Sequence, residues 1–152
     1  MTFMRHNRIE LYVHFIWSTW DRQPLVLPGI ERALHRCIEA QARKFGCHVL
    51  ALNGVEDHVH TFLQMPATVT VSEVAQAMKG NSSLLANQQL NPDFTFRWSG
   101  AYAAFSVSRW DKKKLIVYIG NQKEHHANGT AKRRLELPPD DQLILDANET
   151  AT

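Results

Sequence analysis

The chain has 152 residues, of which 44% are hydrophobic and 21% charged, so its length and composition fit one globular domain with its own core. No apolar run approaches the roughly 20 residues that span a bilayer, and the polar N-terminus does not resemble a secretory signal. Only two cysteines are present, Cys37 and Cys47, which excludes a disulfide framework and a Cys-x-x-Cys metal site. We therefore expect a cytoplasmic protein without a membrane segment.

The charge is unevenly distributed along the chain. The formal net charge is +2, but residues 138–152 contain four acids and no Lys or Arg, which leaves 17 basic and 11 acidic residues in the first 137. We expect residues 1–137 to form the domain and residues 138–152 an acidic, flexible tail, because Pro138-Pro139 opens a segment with little reason to fold. A modestly basic body fits a polyanionic partner, although many other proteins share it.

The first half of the chain alternates strand and helix patterns. Segments rich in β-branched, aromatic or other apolar residues predict strands at 9–17, 47–52 and 58–65. Apolar residues recur at helical spacing from residue 29 to residue 45, and Gly46 is a plausible helix end. Asn53-Gly54 is a hairpin-turn pair between the second and third strands, although the turn could instead sit at Glu56-Asp57.

The second half adds a helix, a strand and a last helix. A capping box at Thr70–Glu73 opens a helix that continues toward Leu85. A fourth strand begins near Tyr102, and the last helix begins near Asp111 and reaches about His126. The order β-α-β-β-α-β-α predicts an α+β fold, a ferredoxin-like βαββαβ arrangement with a four-stranded antiparallel sheet and an added C-terminal helix that carries a tyrosine.

The third strand carries a histidine pair, His58-Val59-His60. Successive side chains of a strand point to opposite faces, so His58 and His60 share one face with their Cβ atoms roughly 7 Å apart. Two imidazoles side by side can bind one divalent ion. Two ligands rarely make a site alone, so the pattern requires a third ligand and a reactive partner.

The last helix carries Tyr118 and Gln122, which share a helix face at the i, i+4 spacing. A glutamine carbonyl oxygen can bind a hard ion such as Mg²⁺ or Mn²⁺. A tyrosine one turn away is then placed to attack a phosphodiester that the ion polarises, since a nearby cation favours the phenolate. The product is a covalent phosphotyrosine ester, and the reaction requires no nucleotide cofactor.

These segments resemble the single-tyrosine HUH transposases of small bacterial insertion sequences, and their domesticated relatives associated with repetitive extragenic palindromes. The resemblance spans about Leu11 to His126. It rests on D-H-V-H at Asp57–His60, V-S-E-V-x-x-x-x-K-G-x-S-S at Val71–Ser83 and Y-I-x-N-Q at Tyr118–Gln122. Three segments in order are far more specific than any one of them.

The resemblance implies a metal-dependent DNA transposase that cleaves and rejoins single-stranded DNA. It implies His58, His60 and Gln122 as ligands of Mg²⁺ or Mn²⁺, and Tyr118 as the nucleophile that takes the 5′-phosphate and frees a 3′-hydroxyl. It further implies recognition of DNA hairpins and a homodimer whose sheets join. The resemblance allows Tyr118 to complete either the site of its own subunit or that of its partner, and this choice stays open.

Several residues are candidate DNA contacts. Lysine and hydroxyl groups position phosphates, and the family-like stretch on the second helix offers Lys79, Gly80, Ser82 and Ser83. A basic run at the start of the last helix offers Arg109, Lys112, Lys113 and Lys114, although such runs are usually solvated faces. Four tryptophans are candidates for stacking on unpaired bases: Trp17, Trp20, Trp98 and Trp110.

Two departures from the family and two alternative functions remain. The segment Val107–Lys112 replaces a glycine-rich hinge, and Gly120 softens the last helix by roughly 1 kcal/mol relative to alanine. The main alternative function is a non-catalytic module that binds single-stranded nucleic acid on the ferredoxin-like sheet. The other is a metal-dependent hydrolase that uses water, with Glu56 or Asp57 as a base. Metal identity, and a mobile element versus a domesticated enzyme, stay open.

Overall fold

One antiparallel sheet organises the computed structural model, which describes residues 6–90 and 93–136. Its strands are β1 (Leu11–Ser18), β2 (His48–Val55), β3 (His58–Met65) and β4 (Ala103–Val107). The helices of this part of the chain are α1 (Pro28–Lys44), α2 (Val71–Leu85), α3 (Lys112–Gly120) and α4 (Gln122–Asn128). The sheet order is β2-β3-β1-β4. The predicted α+β, ferredoxin-like βαββαβ fold is confirmed.

One face of the sheet, the apolar face, packs against α1 and α2. It carries alternate residues of β1 and β3: Val13, Phe15, Trp17, Val59, Leu63 and Met65. The helices contribute Leu34 and Ile38 from α1 and Met78 from α2 to the same core cluster. The helical periodicity predicted for both segments thus places their apolar stripes on the sheet, where burial supplies most of the folding free energy.

The intervening residues of β1 and β3 form the opposite face, the histidine face, with His14, His58 and His60 together with Tyr12 and Phe62. A second, smaller core cluster lies here, and α3 contributes Leu115, Tyr118 and Ile119 to it. The antiparallel register pairs Ile16 with His60 and His14 with Phe62, so His14 and His60 are diagonal neighbours across the two strands. The sheet therefore presents three buried histidines to α3 and α4.

The hairpin between β2 and β3 turns at Glu56-Asp57, so the turn first expected at Asn53-Gly54 is wrong and the alternative is correct. Asn53 and Gly54 are strand residues paired with His60 and Val59. A Cβ atom on Gly54 would lie 2.3 Å from the carbonyl oxygen of His58, so glycine is needed for close strand approach rather than for a turn.

The last helix is broken, whereas the sequence predicts one helix to about His126. α3 ends at Gly120, Asn121 has φ −101° and ψ 21°, and α4 begins at Gln122. The side-chain amide of Asn53 donates to the carbonyl oxygen of Gly120 at 3.1 Å, and the ammonium group of Lys123 donates to Asn53 Oδ1 at 2.9 Å. These bonds hold the break against β2.

No helix among the described residues is long and apolar enough to cross a membrane. The predicted acidic tail at 138–152 lies outside the described residues.

Candidate metal centre and tyrosine site

The histidine pair of β3 is buried beneath α3 and α4. His58 and His60 are 1% and 0% exposed, and their ring centroids are 5.1 Å apart. Strand alternation places both rings on the histidine face, as predicted. Each ring has a different partner at Nδ1, and these partners decide which nitrogen faces the site.

His58 donates from Nδ1 to Asp57 Oδ1 at 2.7 Å, since an ionised carboxylate only accepts. Burial lowers the pKa of His58, but the hydrogen bonds to Asp57 and Glu136 outweigh it and raise the pKa overall. The Nε2 atom of His58 is buried and lies 3.2 Å from Glu136 Oε2. A carboxylate that accepts from one nitrogen while the other nitrogen faces the site is the usual arrangement of a metal-ligating histidine.

His60 has a neutral partner in place of a carboxylate. Its Nδ1 lies 2.9 Å from Nε2 of His14, and the two rings stack with centroids 5.1 Å apart. Burial lowers the pKa of His60, and burial with the His60 charge lowers the pKa of His14 to about 3, so both rings are neutral. For His60 to bind a metal through Nε2, its proton must sit on Nδ1 and be donated to His14.

Tyr118 reaches the same site from α3. Its ring centroid lies 6.3 Å from that of His60 and 4.5 Å from that of His125, on which it stacks. The hydroxyl accepts a hydrogen bond from the backbone N–H of Lys132 at 2.9 Å. Burial and the neighbouring Glu136 carboxylate raise the pKa of Tyr118 to about 12. Because its pKa is raised, the Tyr118 phenol is neutral, and its two hydrogen bonds hold it in place.

Glu136 joins all of these groups, and the sequence reasoning missed it. Its carboxylate lies 2.8 Å from His60 Nε2 and 3.2 Å from His58 Nε2, and it accepts from the Tyr118 hydroxyl at 2.6 Å. Burial raises its pKa, but the bonds from His58 and His60 outweigh burial, so the pKa is lowered and the group is ionised. It lies in an irregular segment after α4, where no spacing pattern singles out an acid.

Gln122 lies in the same cluster at the start of α4. It is fully buried, its Nε2 donates to Glu136 Oε1 at 3.0 Å, and its Oε1 lies 3.1 Å from His126 Nε2. The shared face predicted for Tyr118 and Gln122 therefore survives the helix break. The carbonyl oxygen of Gln122 is engaged by His126, so its role as a metal ligand stays a prediction.

The donor set fits a divalent ion. The ligating atoms of His58, His60 and Glu136 all lie within 4.8 Å of one another. Two imidazoles and a carboxylate suit first-row divalent ions such as Mn²⁺ better than Mg²⁺, which prefers oxygen alone. The Nε2 atoms of His58 and His60 both face the Glu136 carboxylate, so a divalent ion bound there would replace the two Nε2 protons.

The candidate DNA contacts of α2 lie on the helix layer that packs against the apolar face. Lys79 donates to the carbonyl oxygen of Ala101 at 3.0 Å, and Ser83 donates to that of Gly80 at 3.0 Å. Ser82 is fully buried and accepts from the indole N–H of Trp98 at 2.9 Å, which favours a packing role for its hydroxyl. DNA binding by this group stays a prediction.

The basic run of α3 is more accessible than the α2 group. Arg109 pairs with Glu10 at 2.9 Å, Lys112 lies 5.3 Å from the ring centroid of Tyr12, and Lys113 is exposed. Among the tryptophans, Trp17 and Trp98 are buried in the core, whereas Trp20 and Trp110 are exposed. Only the exposed pair is available for stacking on bases.

Comparisons with known proteins identify the family. The profile of the family described as "Transposase IS200 like" matches residues 7–122. The chain is 24% identical over 118 residues to the ISDra2 transposase TnpA of Deinococcus radiodurans, covering 74% of this chain and 84% of that protein. It is 24% identical over 140 residues to the transposase of insertion sequence element IS200 from Salmonella typhimurium, covering 89% and 90%.

Two solved structures share the fold. A candidate transposase from Deinococcus radiodurans R1 superposes with a TM-score of 0.60 at 24% identity, covering 80% of this chain and 98% of that one. A REP-associated tyrosine transposase bound to a REP hairpin gives 0.61 at 15% identity, covering 86% and 76%. With the family match over residues 7–122, this ferredoxin-like domain is of the transposase class. The chain belongs to the IS200-like transposase family.

Proposed function

We propose that this transposase cleaves and rejoins single-stranded DNA through a 5′-phosphotyrosine intermediate on Tyr118, with a divalent ion held by His58 and His60. The observation that carries the proposal is the meeting of the Tyr118 hydroxyl and both imidazoles at one carboxylate, Glu136. A binding module needs none of these groups to converge. A metal-dependent hydrolase needs the ion but not the phenol.

The protein groups have separate tasks in this mechanism. The Lys132 N–H and the Glu136 carboxylate aim the Tyr118 oxygen, which attacks the phosphorus. The phosphorus–O3′ bond breaks, the phosphate stays on tyrosine, and the 3′-oxygen becomes a hydroxyl by taking up one proton from Glu136 or from solvent. The phenolic proton leaves through Glu136 Oε1, to which it is already hydrogen-bonded. When bound, a divalent ion supplies positive charge that favours the phenolate and offsets charge on the phosphoryl oxygens.

The ligand set of the ion has two fixed members and two candidates. His58 and His60 are its histidine ligands, and either Gln122, as the family resemblance implies, or Glu136 supplies oxygen. Mn²⁺ and Mg²⁺ are the ions we expect, with Mn²⁺ favoured by the imidazoles.

The adduct assay tests the proposal directly. Protein is incubated with Mn²⁺ and labelled single strands taken from the flanks of the gene, and detergent-resistant protein–DNA adducts are measured on a denaturing gel. We expect an adduct with the natural chain and with Tyr102→Phe, a matched control tyrosine packed against the core of the apolar face. We expect none with Tyr118→Phe. An adduct formed by Tyr118→Phe would remove this nucleophile, and metal-independent binding without any adduct would favour the non-catalytic alternative.

We also propose that Tyr118 acts within its own subunit. Support comes from its bond to Glu136, which also accepts from Gln122, and from its position beside His60 in the same chain. A mixing experiment distinguishes the two arrangements. Tyr118→Phe protein is mixed with His58→Ala/His60→Ala protein; action in cis gives no adduct, and restored adduct would show that the tyrosine works in trans.

We propose that the partners are DNA hairpins and a second copy of the chain. Hairpin binding is supported by the REP-bound neighbour, and the α2 and α3 groups around Lys79 and Arg109 are its candidate contacts. β2 is an edge strand, and its free backbone groups suit pairing with a second copy. Light scattering on the purified chain measures the dimer, and a hairpin should bind more tightly than a scrambled strand of equal length.

A further inference from the structure

A groove opens beside Tyr118 on the histidine face. Its volume is about 380 Å³, and its walls combine Tyr118, the β4 edge and the segment after α4. The groove is lined by one acidic residue, Asp111, and by three basic residues, Lys114, Lys132 and Arg134. The groove therefore has a net positive lining next to the proposed nucleophile.

The three cations of the groove carry charge that no acid balances locally. All three are exposed, and none forms an ion pair within the described residues. Five other described cations are paired with acids: Arg8, Arg22, Arg43, Arg109 and Lys123. Others in this part of the chain, such as Arg36 and Lys44, are also unpaired, but they do not line this groove. Unpaired cations that converge on one cavity are suited to neutralise a polyanion.

The groove is connected to the chemistry through one residue. Lys132 lines the groove, and its backbone N–H donates to the Tyr118 hydroxyl at 2.9 Å. A strand whose phosphates lie along Lys132 therefore passes within reach of the phenolic oxygen. This places the groove at the attacked phosphate rather than at a remote hairpin-binding surface.

The opposite wall is suited to unpaired bases. It is formed by β4, an edge strand, where Phe105 is 44% exposed and Ser106 is exposed. An exposed aromatic ring stacks on any unpaired base, whereas a duplex hides the faces of its bases. The cavity is at the small end of the ~300–1,000 Å³ range of ligand pockets, a size that suits a short piece of single strand.

We infer that this groove binds the backbone of the single strand next to the phosphate attacked by Tyr118. Lys114, Lys132 and Arg134 neutralise its phosphates, and Phe105 stacks on a base. None of these groups except Lys114 belongs to the candidate DNA contacts drawn from the sequence. The inference rests on the proposed function, because it takes Tyr118 as the nucleophile.

Salt-dependent binding tests the inference. The full chain carrying Tyr118→Phe, which prevents cleavage, is titrated with fluorescein-labelled oligothymidylate, and anisotropy gives the affinity between about 50 and 200 mM salt. Each lost phosphate contact lowers the slope of log K against log salt by about 0.7 for a single strand. We expect Lys132→Ala/Arg134→Ala to weaken binding and to lower the slope by about 1.4.

A matched control separates local contacts from total charge. Arg36→Ala/Lys44→Ala removes the same two charges from exposed positions on α1, away from the groove. We expect it to leave the slope close to that of the parent. Equal slopes for the groove pair and the α1 pair would overturn the inference.

Phe105 gives an independent test of stacking. Phe105→Ala should weaken binding roughly tenfold with an unchanged salt slope, and Phe105→Trp should retain the affinity, because stacking involves no ion release. A Phe105→Ala protein that binds as well as the parent would show that Phe105 does not stack on a base.

The outcomes distinguish this inference from the proposed function. If the natural chain forms the Tyr118 adduct while Lys132→Ala/Arg134→Ala binds and reacts normally, the assignment of DNA binding to the groove is wrong and the proposed function stands. If Lys132→Ala/Arg134→Ala lowers the salt slope but the natural chain forms no adduct, the groove binds nucleic acid. In that case the inference that it lies beside an attacked phosphate is wrong.

Discussion

The two faces of the sheet have opposite chemistry although the same strands form both. The apolar face buries Phe15, Trp17 and Val59 under α1 and α2, and the histidine face buries His14 and His60 to the same degree under α3 and α4. Burial of apolar groups is favourable by itself, whereas buried imidazoles at best recover their desolvation cost through hydrogen bonds. Because side chains alternate along each strand, the same strands can stabilise the fold with one face and carry the candidate reactive groups on the other.

The largest expected effect is on the apolar face. Phe15→Ala removes a fully buried ring and should lower the free energy of unfolding by about 3–5 kcal/mol. His14→Gln, one residue away on the histidine face, should cost about 1 kcal/mol, because the amide can still bond to His60. Urea unfolding followed by circular dichroism measures both. Equal losses at the two positions would contradict the division of labour between the faces.

A metal should add stability through the histidine face alone. Mn²⁺ at about 100 times its dissociation constant should raise the free energy of unfolding of the natural chain by about 2.7 kcal/mol. His58→Ala/His60→Ala should lose this increment, and His48→Ala, an exposed histidine of β2, should keep it. Thermal unfolding with and without Mn²⁺ gives the result. A shift that survives in the double variant would place the ion elsewhere.

The third ligand can be identified in the same measurement. Gln122→Ala and Glu136→Gln each remove one candidate oxygen from the cluster. The variant whose thermal unfolding no longer responds to Mn²⁺ identifies the residue that supplies the oxygen ligand.

The partners of the two imidazoles should have smaller effects. Asp57→Ala and His14→Phe each remove the group that orients one of the proposed ligand rings, and such losses typically weaken metal affinity 10- to 100-fold. His14→Gln should retain affinity, since its amide oxygen accepts from His60. Calorimetric titration with Mn²⁺ checks the three variants. A His14→Phe protein with unchanged affinity would show that the stacked imidazole only fills space.

The last prediction concerns a histidine outside the site, whose effect is confined to acid pH. Burial lowers the pKa of His35 on α1 to about 4, against a raising effect of Glu31 and a further lowering by Lys123. The unfolded chain therefore binds more protons between pH 4 and the ordinary value of 6.5, so stability falls as pH falls through this window. The slope should be at most about 1.4 kcal/mol per pH unit. Urea unfolding at several pH values should show a flatter profile for His35→Gln; an unchanged profile would contradict the assignment.

Local patterns were sufficient to predict the frame of the molecule and half of the candidate site. Strand alternation placed His58 and His60 on one face, and apolar periodicity placed α1 and α2 on the other, because both depend only on neighbours in the chain. The spacing of Tyr118 and Gln122 was predictive even across the break at Asn121, since the two side chains still meet at one carboxylate.

The groups that complete the site depend on contacts between distant segments. Glu136 lies 76 residues from His60 along the chain, and no periodic pattern marks it. His14 reaches His60 only through the register of β1 on β3, and Asn53 contacts Gly120 only because the hairpin turns at Glu56-Asp57. A one-residue change of register reverses which face a side chain occupies, so pairing decides these contacts.

By itself the sequence determined the fold class, the family, the histidine pair and the tyrosine, because each can be recognised from adjacent or regularly spaced residues. Only the tertiary structure decided that Glu136 joins the site, that α3 and α4 are separate helices, and that Lys132 and Arg134 line a groove beside Tyr118. The physical reason is that an irregular segment has no period, so its position is set by the side chains it packs against.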